Sequence, residues 1–153
     1  MFRALRFILL LAFAAAIFGC AGQAKTTPLT NFPNRADRFD IRFAWETHAT
    51  AGSLTVEGVA KNVRYAYVED LSLQISLLDR NQRVLAQETY FFIPSQIQLD
   101  DSAPFTVALK AAAPPGAQLE FLYRYRFTEG MDHSRWEGLF TSDLATGAVR
   151  WPE

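Results

Sequence analysis

The sequence has one cysteine, Cys20, and its surroundings suggest a chemistry. Arg3 and Arg6 open the chain, residues 7–18 are all apolar, and Gly19 precedes the thiol. An apolar run of twelve is short for a bilayer helix, which needs about 20 residues, but it suits a secretory leader. A cysteine after a small residue at such a cleavage point reads as a lipobox, in which the thiol becomes a lipid thioether. Phe18 departs from the small residues favoured at its position. An ordinary leader with a chance cysteine, or an uncleaved anchor, is the competing reading. Without a second cysteine the thiol has no internal disulfide partner, and lipidation would consume it.

Other reactive residues are scattered. There is no Gly-rich phosphate loop and no Gly-x-Ser-x-Gly elbow. The two histidines, His48 and His133, stand beside Glu46 and Asp132 without the helix or hairpin spacing of metal ligands. The adjacent carboxylates Glu69-Asp70 and Asp100-Asp101 diverge on an extended backbone, which suits turns and solvation better than acid–base work. The expectation is a non-catalytic protein with no metal and no cofactor.

Aromatic residues make up 14% of the chain. Tyrosine rings are favoured where one edge stays wet. Tyr65, Tyr67, Tyr123 and Tyr125 are therefore the candidate interaction surface, set against the alternative that most of them belong to the core. Such rings can anchor a protein partner or stack on a sugar.

The elements that must position these residues are strands. Leu71, Leu73, Ile75 and Leu77 alternate with Ser72, Gln74 and Ser76, a period of two that no helix places on one face. Similar alternation predicts strands over 39–46, 54–62, 84–93, 105–109, 119–127 and 136–141. In the first, Phe39, Phe43 and Trp45 are expected inside, and Asp40, Arg42 and Glu46 outside. Gly58, on the inward register of the second, implies a close approach by a large neighbour such as Trp45. Asn62 is expected to bond locally to the following loop. Tyr90, Phe91 and Phe92 are consecutive, so the strand over 84–93 has either cover on both faces or an exposed ring. Pro94 ends it, and residues 130–134 read as a loop. Seven such strands suit an all-β fold, an immunoglobulin-like β-sandwich of about seven antiparallel strands.

The pattern Gly58-x-x-x-Asn62, Leu71-x-Leu73-x-Ile75-x-Leu77-Leu78-Asp79, Arg83-Val84-Leu85 and Ala103-Pro104-Phe105 resembles the FxLYD domain. Ile75 and Leu78 stand where that family has its naming aromatics. Asp79-Arg80-Asn81-Gln82 and Asp100-Asp101-Ser102 replace its Asp-Gly and Pro-Gly turns. The resemblance implies a small immunoglobulin-like sandwich in a bacterial or archaeal envelope protein, with no shared catalytic residues.

The chain is thus expected to comprise a signal segment (1–19), a lipidated Cys20 with a flexible tether (20–38), and a β-sandwich (39–153). Without Arg3 and Arg6 the formal net charge moves from −1 to −3, which gives nucleic acid no basic surface. Ala21 after the cysteine favours outer-membrane sorting. The expected partners are the membrane, through the lipid on Cys20, and an envelope protein held on an edge strand or an aromatic face. A ligand- or carbohydrate-binding lipoprotein is the alternative.

Overall fold

A computed structural model describes residues 27–129 and 132–152. Cys20 and the signal segment lie outside the described residues. Among the described residues ten strands form: β1 (Asn34–Asp37), β2 (Ile41–Ala49), β3 (Leu54–Asn62), β4 (Tyr67–Leu78), β5 (Val84–Phe91), β6 (Gln96–Ile97), β7 (Ser102–Leu109), β8 (Gln118–Glu129), β9 (Asp132–Asp143) and β10 (Val149–Arg150). They make two antiparallel sheets, β1-β2-β3-β7 and β10-β9-β8-β4-β5, with β6 continuing the β5 side of β4.

The seven long strands are the seven expected from alternation. In chain order, the first, second and fifth share one sheet, and the seventh, sixth, third and fourth the other. This is an immunoglobulin-like sandwich whose fourth long strand lies beside the third, the variable-type placement. The three additional strands are short and too poor in apolar residues to announce themselves.

The core is the inner face of both sheets. Leu71, Leu73, Ile75 and Leu77 are all buried, as the period of two requires. Each such side chain contributes about 1.5–3 kcal/mol by leaving water. Rings fill the centre: Phe121 stacks on Phe140 at 4.6 Å, and Trp45 lies 4.8 Å from Phe121. A Cβ on Gly58 would sit 2.7 Å from the Phe105 ring and 2.9 Å from Trp45 Cβ, so only glycine lets these strands close. Asn62 holds its loop from inside, donating to the carbonyls of Ala66 (3.0 Å) and Ile97 (2.9 Å) and accepting from the Arg64 amide.

Four expectations need correction. The folded domain begins before residue 39, because β1 lies within the expected tether and pairs with β2 from Asn34↔Trp45 to Asp37↔Arg42. Ala36 is its only buried apolar residue, a weak sequence signal. The bend between β1 and β2 then reverses the expected faces, so that Phe39 is 57% exposed and Asp40 is buried. Ser76, expected outside, is also buried, with its hydroxyl 3.3 Å from Gln87 Oε1. Finally, β9 starts at Asp132 and pairs with β8 over all twelve residues, so 132–134 are strand and not loop.

Candidate functional site

Tyr123 and Tyr125 are not surface residues. Both project inward from β8 and are buried. The Tyr125 hydroxyl donates to Asp40 Oδ2 at 3.0 Å, and that of Tyr123 lies 3.3 Å from both Asp40 oxygens. The rings stack at 6.3 Å, nearly parallel. Burial, reinforced by the Asp40 charge, pushes the Tyr123 phenol up to about 12, and raises Tyr125 for the same reasons. At neutral pH the cluster is two neutral donors on one carboxylate, which satisfies the buried acid. The three side chains join β8 of one sheet to the entrance of β2 in the other.

Tyr65 and Tyr67 are exposed, at 95% and 44%. The rings that gather at the adjoining end of the sandwich are others. Phe39 meets Trp136 edge-on at 5.6 Å, and both are exposed. The Arg64 guanidinium lies over Phe127 (4.4 Å), Trp136 (5.4 Å) and Phe39 (5.7 Å), a cation–π arrangement that props this rim against the core.

A larger unpartnered feature is the edge of the β5 sheet. β5 pairs with β4 on one side and, among the described residues, with nothing on the other. Phe92 donates its amide to Leu71. Antiparallel alternation therefore turns the amides of Gln87, Thr89 and Phe91 toward the open side. Val84, Leu85, Phe91 and Ile93 are exposed along or just beyond it, Phe91 at 71% and Ile93 at 87%. Natural edges are usually blunted by lysine, proline or a bulge. Over its eight residues β5 has no lysine and no proline, and its one charge is Glu88; its one irregularity, at Leu85, lies near its start and leaves Ala86–Phe91 in regular register. The three consecutive aromatics held the signal for this edge: with Phe92 inside, Phe91 had to be outside.

The remaining chemistry stays dispersed. Glu69 bonds Gln96 and Thr128, while Asp70 pairs with Arg126. Asp100 pairs with Lys61 at 2.9 Å. His48 Nε2 lies 3.4 Å from Glu46, and Glu57 of β3 faces Glu46 across the ladder, so these three form one imidazole–carboxylate group with ligand atoms within 4.8 Å of one another. The side chains of Asp132 and His133 lie outside the described residues.

No protein-family model matches the chain, and no curated protein matches its sequence. Among solved structures, the GAE domain of yeast GGA1 aligns with a TM-score of 0.48 at 10% identity, covering 71% of this chain and 96% of that one. The GAE domain of GGA2p from Saccharomyces cerevisiae aligns with 0.43 at 11% identity, covering 70% and 96%. A protein from Archaeoglobus fulgidus aligns with 0.37 at 9% identity, covering 78% and 98%.

Proposed function

We propose that the chain is a lipid-anchored, non-catalytic envelope protein whose sandwich is an interaction module, taking an extended segment of a partner protein along β5. The observation that carries this reading is the open β5 edge, with outward amides at Gln87, Thr89 and Phe91 and apolar side chains beside them. An added strand gains main-chain hydrogen bonds there, and alternate side chains of the partner meet Leu85 and Phe91. The lipid on Cys20 would hold the domain in a thin layer above the membrane, so that a weak edge contact suffices through effective concentration. The resemblance to the FxLYD domain supports the same compartment and an absence of catalysis.

The test is capture from detergent-solubilised envelopes by the purified protein and by two variants, Thr89→Pro and Phe91→Lys. Proline is tolerated on an edge strand but removes an outward donor, and lysine blunts the edge without touching the core. Both should fold and lose the captured protein. Capture unchanged in both variants would remove β5 from the account.

The exposed Phe39–Trp136 pair favours a second reading, a carbohydrate- or other ligand-binding lipoprotein that uses this rim. Saccharide-dependent quenching of tryptophan fluorescence, lost in Trp136→Ala, would favour it over the β5 edge.

A further inference from the structure

The outer face of the β5 sheet carries a feature that neither reading uses. Asp70 of β4, Arg124 and Arg126 of β8, and Arg135 and Glu137 of β9 line an open groove of about 640 Å³. The ladder sets Arg124 opposite Glu137 and Arg126 opposite Arg135. The first pairing is complementary, with Arg124 Nε 2.6 Å from Glu137 Oε2. The second sets like charges directly across the sheet, which is destabilising.

Arg126 is steadied from the side by Asp70. That aspartate has φ +50°, an uncommon region for a residue with a side chain, in the irregularity between Glu69 and Ser72. Arg135 is exposed and, among the described residues, has no ion pair or hydrogen bond. The groove is lined by three guanidiniums and two carboxylates, and the Glu69 carboxylate opposite Arg126 is engaged by Gln96 and Thr128, so Arg135 is the guanidinium of this face left without a counter-ion among the described residues.

We propose that the groove binds a phosphomonoester, its dianion bridging Arg126 and Arg135. A carboxylate has one charge and two oxygens, enough for one guanidinium fork. A phosphomonoester carries about −1.5 to −2 charges at pH 7 and three acceptor oxygens, so it can satisfy both arginines at once. It also offsets the cross-strand repulsion that the empty ladder retains. The phosphate has two sources, a soluble phosphate ester or a phosphomonoester lipid headgroup.

The experiment is calorimetric titration of the full-length protein with inorganic phosphate and with glycerol 3-phosphate. Alongside it, binding is measured to phosphatidylcholine vesicles with and without phosphatidic acid. Each is repeated with Arg135→Gln, whose exposed and unpaired side chain makes no contribution to packing. Binding that weakens about tenfold or more in the variant, and that falls with added salt, is the expected result. Equal dependence on Arg135 in the soluble arms alone identifies a soluble ester; dependence confined to phosphatidic acid vesicles identifies the headgroup. Binding that Arg135→Gln leaves unchanged, or no phosphate-dependent binding in any arm, overturns the proposal. Thr89→Pro should leave these titrations untouched, which separates this site from the β5 edge.

Discussion

The Tyr125 hydroxyl donates to the buried Asp40 carboxylate at 3.0 Å, clasping the entrance of β2 in one sheet to the middle of β8 in the other. Tyr123 adds a second donor to the same acid. Hydrogen bonds to a charged acceptor contribute about 1.5–3 kcal/mol each. Asp40→Ala should therefore lower the stability by about 2–4 kcal/mol in urea unfolding, with both phenols left unpaired inside. Asp40→Asn, which keeps an acceptor, should cost less.

The same clasp sets an alkaline limit. The Tyr123 phenol titrates near 12 in the folded chain, raised by burial and by Asp40, and near 10 when unfolded. The folded state thus keeps a proton that the unfolded state loses. The stabilising contribution is complete below pH 10 and disappears as pH rises through 12. Denaturation midpoints measured from pH 9 to 12 should fall. Tyr123→Phe should flatten that fall; an identical slope in the variant would contradict the assignment.

These two tyrosines show how far the sequence could be read. Leu119, Phe121, Tyr123, Tyr125 and Phe127 share one parity, and Glu120, Arg124 and Arg126 share the other, so alternation alone puts both phenols inside. Their polar hydroxyls argued for the surface because the acid that satisfies them is more than eighty residues away. Asp40 in turn reads as outward in the sequence, because the bend after β1 shifts the register and nothing local marks it. Long apolar alternation, as in β4, was legible since every second residue votes for the same face. β1, with Ala36 alone inside, had too few votes.

A comparison within β4 tests the register. Ile75→Ala should cost about 2–5 kcal/mol, since it removes a fully buried side chain from the sheet interface. Ser76 is buried on the other face beside Gln87, so Ser76→Ala should cost about 0.5–1.5 kcal/mol through its hydrogen bond. Equal losses at the two positions would show that the two faces of this strand are not distinguished as described.

Glycine 138 supplies a sharper probe of the centre. A Cβ there would overlap the ring and hydroxyl of Tyr123. Gly138→Ala must displace that ring from Asp40, and it should destabilise by about 1–3 kcal/mol or more, as overpacking does. A double variant Gly138→Ala with Tyr123→Leu that is no less stable than Tyr123→Leu alone would confirm the collision as the cause.

Lipidation rests on the residues from Arg3 to Cys20 and is tested by mass. The protein purified from membranes should begin at Cys20 and carry acyl chains. An unmodified thiol, or retention of residues 1–19, would remove the anchor from the proposed function.

The most direct measurement of the central proposal is amide hydrogen exchange on the full-length protein, alone and with the envelope protein that it captures. The amides of Gln87, Thr89 and Phe91 point away from β4 and should exchange quickly in the free protein, then gain protection together when a partner strand adds to the edge. Their neighbours Glu88 and Tyr90, already bonded to β4, should change less. Unchanged exchange at Gln87, Thr89 and Phe91 in the complex would contradict the account, whichever other surface became protected.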